Sequence, residues 1–229
     1  MTTLVLLPGL DGTGLLFKPL LDAPAGAIPV AVVRFPTTAA AGYAELERCV
    51  EAAIPGEDPI VLLGESFSGP IAISLAAKYP KRVKGLVLCC TFARNPHPAL
   101  GAFKPLASVL PFRALPAALS TLALLGRHAT PELRRLLADA LAPVSSKVLG
   151  ARLAGVLSID ASASLARVVA PMLYLRATED RLIPRSAAET IKVAQPALQV
   201  VDVPGPHGLL QAAPDAAARL VLDFFRKLA

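Results

Sequence analysis

Six short apolar runs, spread along the whole chain, constrain its fold more than any other feature of the sequence. Their hydrophobicity is nearly continuous rather than alternating, as expected for strands that are buried on both faces of a parallel sheet. We therefore predict about six strands in one mostly parallel sheet. The runs are TLVLLP (3–8), VAVVRF (30–35), PIVLLG (59–64), GLVLCC (85–90), MLYLRA (172–177) and LQVVDV (198–203).

Helix-like segments separate these runs. Patterns of helical period lie at about 42–54, 68–78, 186–194 and 212–228. The alternation of strands and helices is the sequence form of an open, doubly wound α/β sheet. With 229 residues, the chain is long enough for one well-packed core. We therefore expect a single α/β domain over residues 1–229.

The interval between the fourth and fifth predicted strands breaks this rhythm. It contains several prolines and helical pieces such as ATPELRRLLADALA (129–142). Thr130 fits an N-cap with Pro131 at the first helical position. Because a structureless loop of this length is uncommon in a compact domain, we predict a helical cap inserted at residues 93–165, above one end of the sheet.

Composition argues against a membrane or secreted protein. No apolar stretch is long enough to span a bilayer, and the amino-terminal MTTLVLLPGL lacks the basic region of a signal peptide. The three cysteines fit neither a disulfide framework nor a metal site. We therefore expect a cytoplasmic protein without stable membrane insertion, with cysteines that serve as small core residues.

The net charge of +6 raises the question of nucleic-acid binding. The basic residues are scattered, apart from KYPKRVKG (78–85), which is typical of a solvated helix end and the turn after it. Aromatic residues make up 5% of the chain, and none is interleaved with that cluster as a stacking platform would require. We therefore expect no nucleic-acid partner.

The segment GESFSG (64–69) follows the third predicted strand and precedes an apolar, helix-like segment. A serine between two glycines is compatible with a simple turn, but in this strand–turn–helix setting it also matches a nucleophile held on a sharp bend. We predict that Ser66 projects above the carboxyl end of the sheet at a helix N-terminus, which favours negative charge. Ser68 is expected only to pack or to cap that helix.

A serine hydroxyl is a poor nucleophile unless a base removes its proton. The chain has three histidines, and His97 and His128 lie in the predicted insertion, where we expect surface or packing roles. His207 lies in VPGPHGLLQAAP, between the last predicted strand and the last helix. The flanking Gly and Pro residues mark a loop, so the imidazole can lean over the sheet edge. We predict His207 as the base.

The base needs a carboxylate that fixes its tautomer and stabilises the imidazolium. Asp180, in LYLRATEDRLIP just past the fifth predicted strand, is our candidate. Glu179 is the alternative, but neighbouring residues point in different directions and only one of the two should reach the histidine. Asp202 lies within a strand and is expected to point into or beneath the sheet. Asp160 has no strand before it.

Ester chemistry also needs hydrogen-bond donors for the oxyanion. The first predicted strand runs into a glycine-rich loop, LPGLDGTG (7–14), at the same end of the sheet. We predict the backbone N–H groups of Leu10 and Phe67 as the oxyanion donors, with Leu10, Asp11 and Phe103 in contact with the substrate. The alternative is phosphate binding, but the loop matches neither G-x-G-x-x-G nor a Walker Lys-Ser/Thr pattern.

These motifs together resemble the α/β-hydrolase superfamily over nearly the whole chain. The oxyanion loop (LPGLDGTG), the nucleophile elbow (GESFSG), the acid turn (TEDRLIP) and the histidine loop (GPHGLLQAAP) occur in the family order. Pro8-Gly9 replaces the usual His-Gly of the oxyanion loop, and the PGLDGTG form is similar to small bacterial esterase-like members and to plant enzymes that make phytyl and glycerol esters. The resemblance implies an α/β-hydrolase fold that lacks the family's first two strands.

The residues and the resemblance predict a serine hydrolase that cleaves small-molecule carboxylic esters through an acyl-enzyme, without metal or cofactor. The apolar GAFKPLASVLPF (101–112) is expected to form a pocket for short to medium uncharged acyl chains. Arg94, Lys104 and Arg127 could instead meet an acidic head group, although we expect them to be surface residues. Acyl transfer to an alcohol and a non-catalytic ligand-binding protein on the same scaffold remain open alternatives. The sequence makes no prediction about the oligomeric state.

Overall fold

The computed structural model describes residues 1–24, 28–54, 56–104 and 117–228. Within these ranges six strands form one sheet in the order β2-β1-β3-β4-β5-β6, and every neighbouring pair is parallel. The predicted α/β sheet is confirmed, and it is entirely rather than mostly parallel. The strands are β1 (Thr3–Leu7), β2 (Val30–Val32), β3 (Ile60–Glu65), β4 (Val83–Cys89), β5 (Met172–Ala177) and β6 (Gln199–Val203).

Helices connect the strands. The patterns at 42–54, 68–78 and 186–194 correspond to α2, α3 and α8, and the pattern at 212–228 corresponds to α10, whereas the short α1 was not predicted. The helices are α1 (Lys18–Asp22), α2 (Tyr43–Ala53), α3 (Gly69–Lys78), α4 (Ala117–Leu124), α5 (Pro131–Leu141), α6 (Ser146–Val156), α7 (Ser162–Leu165), α8 (Arg185–Ala194), α9 (Leu209–Ala212) and α10 (Pro214–Arg226).

Both faces of the sheet are covered by helices. Leu62 and Tyr174 belong to the core beneath α2, α3 and α8. Leu63 and Leu175, their chain neighbours, belong to the core beneath α9 and α10 on the opposite face. Because side chains alternate between two buried faces, the strands are apolar along their whole length. Cys89 and Cys90 are buried in the second core, as predicted for small core residues.

The interval between β4 and β5 is helical where the structure describes it. It contains α4 to α7 and short 3₁₀ helices at Pro98–Phe103 and Gly126–His128. Thr130 caps α5 as predicted, since its hydroxyl accepts a hydrogen bond from the Leu133 N–H at 3.3 Å. The role of residues 93–165 as a cap stays a prediction. Of the described helices, none combines the length and the apolar character that spanning a bilayer needs.

The parallel sheet brings the ends of distant strands to a common edge. The carboxyl ends of β1, β3, β5 and β6 lead into the loops that carry Leu10, Ser66, Asp180 and His207. The chain switches direction across the sheet between β1 and β3, because β2 lies on one side of β1 and the later strands lie on the other. In open α/β sheets, ligands bind at such a switch point beyond the carboxyl ends of the strands.

Gly69 allows α3 to begin directly against Thr91, which lies two residues past the end of β4. A Cβ atom at Gly69 would overlap the Thr91 hydroxyl and lie 2.7 Å from the Thr91 Cγ2. The Thr91 side chain cannot swing away freely, since its hydroxyl donates a hydrogen bond to the Ser66 carbonyl. The glycine at this position is therefore required by packing.

We expect the substitution Gly69→Ala to lower the free energy of unfolding by about 1 to 3 kcal/mol, because α3 or Thr91 must move to admit the methyl group. Urea unfolding measures this change. Gly101→Ala is the matched control. Among the described residues its Cβ would meet nothing closer than 3.6 Å, so the substitution should change stability by less than about 0.5 kcal/mol. Equal losses in both variants would contradict the packing role.

Candidate active site

Ser66 occupies a strained bend between β3 and α3. Its backbone φ is +48°, a left-handed conformation that is costly for any residue except glycine. A single turn at Ser66–Ser68 then leads into α3, and the Ser66 side chain remains half-buried at the sheet edge. This is the strand–turn–helix geometry that exposes a nucleophilic hydroxyl. Ser68, by contrast, is fully buried and donates a hydrogen bond to the Leu7 carbonyl at 2.6 Å.

The structure brings Ser66, His207 and Asp180 together in one hydrogen-bonded row. The His207 Nε2 lies 2.9 Å from the Ser66 Oγ. The His207 Nδ1 lies 3.0 and 2.9 Å from the two carboxylate oxygens of Asp180. A histidine that donates its Nδ1–H to a carboxylate presents an unprotonated Nε2, which is the form that can accept a proton from the serine.

The loop after β5 supplies further partners for the buried Asp180. The Asp180 Oδ1 accepts hydrogen bonds from the backbone N–H groups of Leu182 and Ile183, at 2.8 and 2.9 Å. The side chains of Asp180 and His207 are only 6% and 5% exposed. A buried carboxylate is tolerated when such donors satisfy its charge. The same contacts hold it in place against the imidazole.

The two competing acids that lie nearest in sequence have other partners. Glu179 binds the Arg127 guanidinium at 2.7 and 3.0 Å, and this hydrogen bond holds the pKa of Glu179 below its usual value. Asp202 does not point into or beneath the sheet, so that prediction is wrong. It lies near the end of the edge strand β6, where its side chain is 42% exposed and pairs with Arg176 of β5. An edge strand leaves room for such a solvated ion pair.

The other two histidines contact the acid loop from the interval before β5. His97 is exposed, and its Nε2 lies 2.6 Å from the Leu182 carbonyl. His128 is partly buried, and its Nε2 lies 3.3 Å from a carboxylate oxygen of Glu179. Neither joins the row at Ser66, as expected from their positions.

The two predicted oxyanion donors are free to bind a ligand. Within the described residues, the N–H groups of Leu10 and Phe67 have no hydrogen-bond acceptor. Leu10 occupies a central position of a tight turn, which is closed by a hydrogen bond from the Gly12 N–H to the Gly9 carbonyl at 3.1 Å. Phe67 lies in the turn that opens α3, where unpaired N–H groups favour an anion.

The other two predicted substrate contacts, Asp11 and Phe103, stay predictions. The Asp11 side chain is only 3% exposed and accepts hydrogen bonds from the N–H and hydroxyl of Thr13. Its carboxylate is therefore engaged inside the loop, and contact with a substrate stays a prediction. The Phe103 side chain and residues 105–116 lie outside the described part of the chain. Within the described ranges, no group of three or more acidic, histidine or cysteine side chains is arranged to hold a metal ion.

Arg152 of α6 joins the edge of the site although its sequence position does not predict it. Its side chain is 2% exposed and donates hydrogen bonds to the backbone carbonyls of Leu10, Asp11 and Pro36. Burial lowers the pKa of the guanidinium, and the nearby Asp11 opposes that effect. The only sequence signal for such a role is an arginine set among apolar residues of a helix.

Glu65, the residue before Ser66, is a buried acid with an unsatisfied oxygen. Its Oε1 accepts a hydrogen bond from the Gln211 amide at 2.9 Å, whereas its Oε2 has no partner within the described residues. Burial is the main cause that raises the pKa of Glu65 to about 7, and the nearby Asp11 charge raises it further. The hydrogen bond from Gln211 and the nearby His207 lower it. The carboxyl is therefore largely protonated below neutral pH.

The sequence matches a known protein family over most of its length. The model of the alpha/beta hydrolase family matches residues 4–220, which is most of the sequence. The chain belongs to the alpha/beta hydrolase family. Among curated proteins, this hydrolase family member is 29% identical to the biotin biosynthesis bifunctional protein BioHC of Cellvibrio japonicus, over 99% of its own length. It spans about half of that relative, 48% of its length.

Solved structures with the same fold cover nearly all of this alpha/beta hydrolase. The enol-lactonase from Burkholderia xenovorans LB400 has a TM-score of 0.85 and 16% identity, with 98% of this chain and 91% of the other covered. A thermophilic esterase from Thermogutta terrifontis has a TM-score of 0.80 and 21% identity, with 99% and 89% covered. At these identities the likeness shows the fold.

We expect the contribution of Glu65 to the stability of this alpha/beta hydrolase to fall as the pH rises from about 4.5 to 7. The folded-state pKa of Glu65 is about 7, above its ordinary value of 4.5, so the folded protein binds the extra proton in this window and loses that advantage as the pH rises. Glu65→Gln lacks this titration. The unfolding free energy of Glu65→Gln minus that of the wild type should therefore rise by about 3 kcal/mol across the window and then level off.

Urea unfolding between pH 4 and 8 measures this difference. Glu57→Gln, at an exposed position, gives the baseline for removing a carboxylate. A stability difference between Glu65→Gln and the wild type that stays constant from pH 4.5 to 7 would contradict the assignment of a protonated Glu65.

Proposed function

We propose that this alpha/beta hydrolase is a serine hydrolase that cleaves carboxylic esters of short to medium uncharged acyl chains. The observation that carries the proposal is the row in which the His207 Nε2 lies 2.9 Å from the Ser66 Oγ and the His207 Nδ1 lies 2.9 Å from Asp180. These distances are those of a nucleophile with its base and of a base with its orienting acid.

In the first half of the proposed reaction, the Ser66 Oγ attacks the ester carbonyl carbon while the His207 Nε2 accepts the hydroxyl proton. The carbonyl oxygen becomes an oxyanion and accepts hydrogen bonds from the Leu10 and Phe67 N–H groups. As the carbon–oxygen bond to the alcohol breaks, His207 returns the proton to the leaving oxygen. The acyl group then remains on Ser66 as an ester.

In the second half, His207 accepts a proton from a water molecule, which attacks the acyl carbon. The same two N–H groups bind the second oxyanion. As it collapses, the bond between the acyl carbon and the Ser66 Oγ breaks, His207 returns the proton to the Oγ, and the carboxylic acid leaves. Asp180 accepts the Nδ1–H of His207 in both halves. It therefore fixes the tautomer of the imidazole and stabilises its positive charge while the proton is held.

We further propose that residues 93–165 act as a cap over this site. Two contacts support it: the Gly208 N–H, next to His207, donates a hydrogen bond to the Leu124 carbonyl at 2.7 Å, and Arg127 pairs with Glu179, next to Asp180. The interval thus packs against the loops that carry the base and the acid. Because Arg127 is paired, it is less suited to bind an acidic head group, which favours uncharged acyl chains.

The names of related structures agree with ester chemistry. The neighbours of known fold include proteins described as an esterase and as an enol-lactonase, and a lactone is a cyclic ester. The likeness to them is one of fold, so the substrate class proposed for this chain depends on the site geometry and on the apolar character of the 101–112 segment.

We expect the wild type to hydrolyse a p-nitrophenyl ester series, with the highest turnover at short to medium chain length. Ser66→Ala should lower kcat by about 10⁴- to 10⁶-fold, because the nucleophile is lost. Release of p-nitrophenol measures both. Ser68→Ala is the matched control, since it removes a hydroxyl from the same turn that the proposed chemistry does not use, and it should retain turnover within about tenfold.

Unchanged turnover in Ser66→Ala would refute this mechanism. A wild type that hydrolyses no ester but binds a small molecule tightly would point to a non-catalytic binding protein. Formation of a new ester after addition of an alcohol acceptor would point to acyl transfer.

We expect Asp180→Asn to lower kcat by about 10⁴-fold, because an amide no longer selects the tautomer of His207 that can accept the serine proton. Glu179→Gln should change kcat only a few-fold, since Glu179 binds Arg127 rather than the imidazole. Steady-state kinetics on the best ester compare the two variants. Loss of activity in Glu179→Gln but not in Asp180→Asn would reverse the assignment of the acid.

A further inference from the structure

Arg152 is a buried cation whose hydrogen-bond partners are all backbone carbonyls. Its Nη1 donates to the Leu10 carbonyl at 2.8 Å and to the Asp11 carbonyl at 2.9 Å, and its Nη2 donates to the Pro36 carbonyl at 2.8 Å. Within the described residues it forms no ion pair with a carboxylate. Burial lowers the pKa of the guanidinium, and the nearby Asp11 charge raises it without a direct contact. Burying a charge without a salt-bridge partner in direct contact is costly, so its position next to the oxyanion loop calls for an explanation.

Two peptide groups connect the guanidinium to the Leu10 N–H. In a trans peptide the C=O and the N–H point in opposite directions. Arg152 holds the Asp11 carbonyl, so the N–H of the same peptide group, that of Gly12, points away from the guanidinium and donates to the Gly9 carbonyl at 3.1 Å. The Gly9 carbonyl and the Leu10 N–H belong to one peptide group, so the Leu10 N–H points away from the Gly12 N–H that the carbonyl accepts.

The same guanidinium packs against the residue that carries the second donor. Its carbon lies 5.9 Å from the centre of the Phe67 ring and 5.8 Å from that of Phe35. The Phe67 ring also stacks on Tyr43 with centroids 4.8 Å apart, and the Tyr43 hydroxyl donates to the Phe67 carbonyl at 3.2 Å. Arg152 therefore contacts both residues that present oxyanion donors.

Gly12 is the element of the loop that admits the guanidinium. A Cβ at Gly12 would lie 2.8 Å from the Arg152 Nη2 and 2.9 Å from its Cζ, and the backbone φ of Gly12 is +73°. A side chain at this position would therefore both clash with the guanidinium and strain the turn. The loop sequence and the buried arginine fit one another.

We propose that Arg152 is the positioning residue of the oxyanion site, which orients the Leu10 N–H through two hydrogen-bonded peptide groups and strengthens it as a donor. This inference depends on the proposed ester chemistry. Hydrogen bonds in a chain polarise one another, so a cation at one end makes the terminal N–H a better donor. A donor that is fixed in advance spends no free energy on reorientation when the oxyanion forms.

The consequence is specific to the transition state. The substrate carbonyl carries full negative charge only when the tetrahedral species forms, so a weakened or misoriented Leu10 N–H lowers kcat rather than raising KM. A residue that only stabilised the fold would instead lower the melting temperature without this selectivity.

The test compares Arg152→Met and Arg152→Lys with Arg82→Met. Arg82 also donates to backbone carbonyls, those of Ile54 and Asp58 at 2.7 and 3.1 Å, but it lies at the amino end of the sheet. We expect Arg152→Met to lower kcat by about 100- to 1,000-fold with KM within about threefold, as for the loss of an oxyanion donor. Arg152→Lys should retain more activity than Arg152→Met, because it keeps the charge, but less than the wild type, because an ammonium lacks the planar fork that reaches three carbonyls. Arg82→Met should leave kcat unchanged.

Two further measurements separate positioning from folding. The affinity for a trifluoromethyl ketone, which forms an oxyanion on Ser66, should fall in Arg152→Met in parallel with kcat/KM. The melting temperature shows whether Arg152→Met and Arg82→Met lose comparable stability. If Arg152→Met does not fold, Arg152→Gln replaces it with the same expected result, because it lacks the charge but keeps an amide donor.

Several outcomes would overturn the inference about Arg152. These are a loss of kcat no larger than that in Arg82→Met, an effect confined to KM, or unchanged affinity for the ketone. If the wild type hydrolyses no ester, the proposed function fails on its own. The role of Arg152 is then tested by the rate at which a fluorophosphonate labels Ser66, since its phosphonyl oxygen would bind the Leu10 and Phe67 N–H groups. Equal labelling rates in wild type and Arg152→Met, or no labelling of the wild type, would then overturn it.

Discussion

The close approach of α3 to the end of β3 is the constraint on which the candidate site depends. A Cβ at Gly64 would lie 2.9 Å from the Ala72 Cβ and 3.0 Å from the Gly69 Cα, so no larger residue fits where the helix crosses the strand. The chain must therefore reverse direction within the three residues Ser66–Ser68. This short reversal forces Ser66 to a positive φ and leaves its hydroxyl and the Phe67 N–H at the sheet edge.

The turn at Ser66–Ser68 is also hydrogen-bonded to the end of β1, where the Gly-rich loop begins. The Ser68 hydroxyl donates to the last carbonyl of β1, that of Leu7, and its oxygen lies 3.1 Å from the Glu65 carbonyl. The Ser68 hydroxyl therefore connects the turn at Ser66–Ser68 to the start of the Gly-rich loop. A parallel sheet permits this because adjacent strands end at the same level, so two loops that are far apart in sequence meet side by side.

Much of the fold could be predicted from sequence because its signals are local. Each strand is a continuous apolar run, and β3 ends in the GESFSG motif, which needs no distant contact to be recognised. The limits of the strands were less certain: β2 ends at Val32 rather than at residue 35, because it is a short edge strand, and β4 begins at Val83. The order of the strands depends on pairing between distant segments, which no local pattern contains.

The candidate site shows the same division. Ser66 and His207 lie in turns whose glycines and prolines mark them, so their positions at one sheet edge followed from the sequence. The choice of Asp180 over Glu179 agrees with the ion pair between Glu179 and Arg127, which lie 52 positions apart. The orientation of Asp202 was predicted wrongly because its partner, Arg176, lies on the neighbouring strand. Arg152 was missed because it lies 142 positions from Leu10.

Arg152 also limits how this scaffold can be taken apart. The helix α6 lies in the interval between β4 and β5, yet its guanidinium binds the loops that follow β1 and β2. The interval is therefore not an exchangeable module with a clean border on either side. A recombinant chain that borrows part of this interval from a relative would keep the contacts of its own Gly-rich loop only if α6 stayed with the host, which requires a crossover before Ser146.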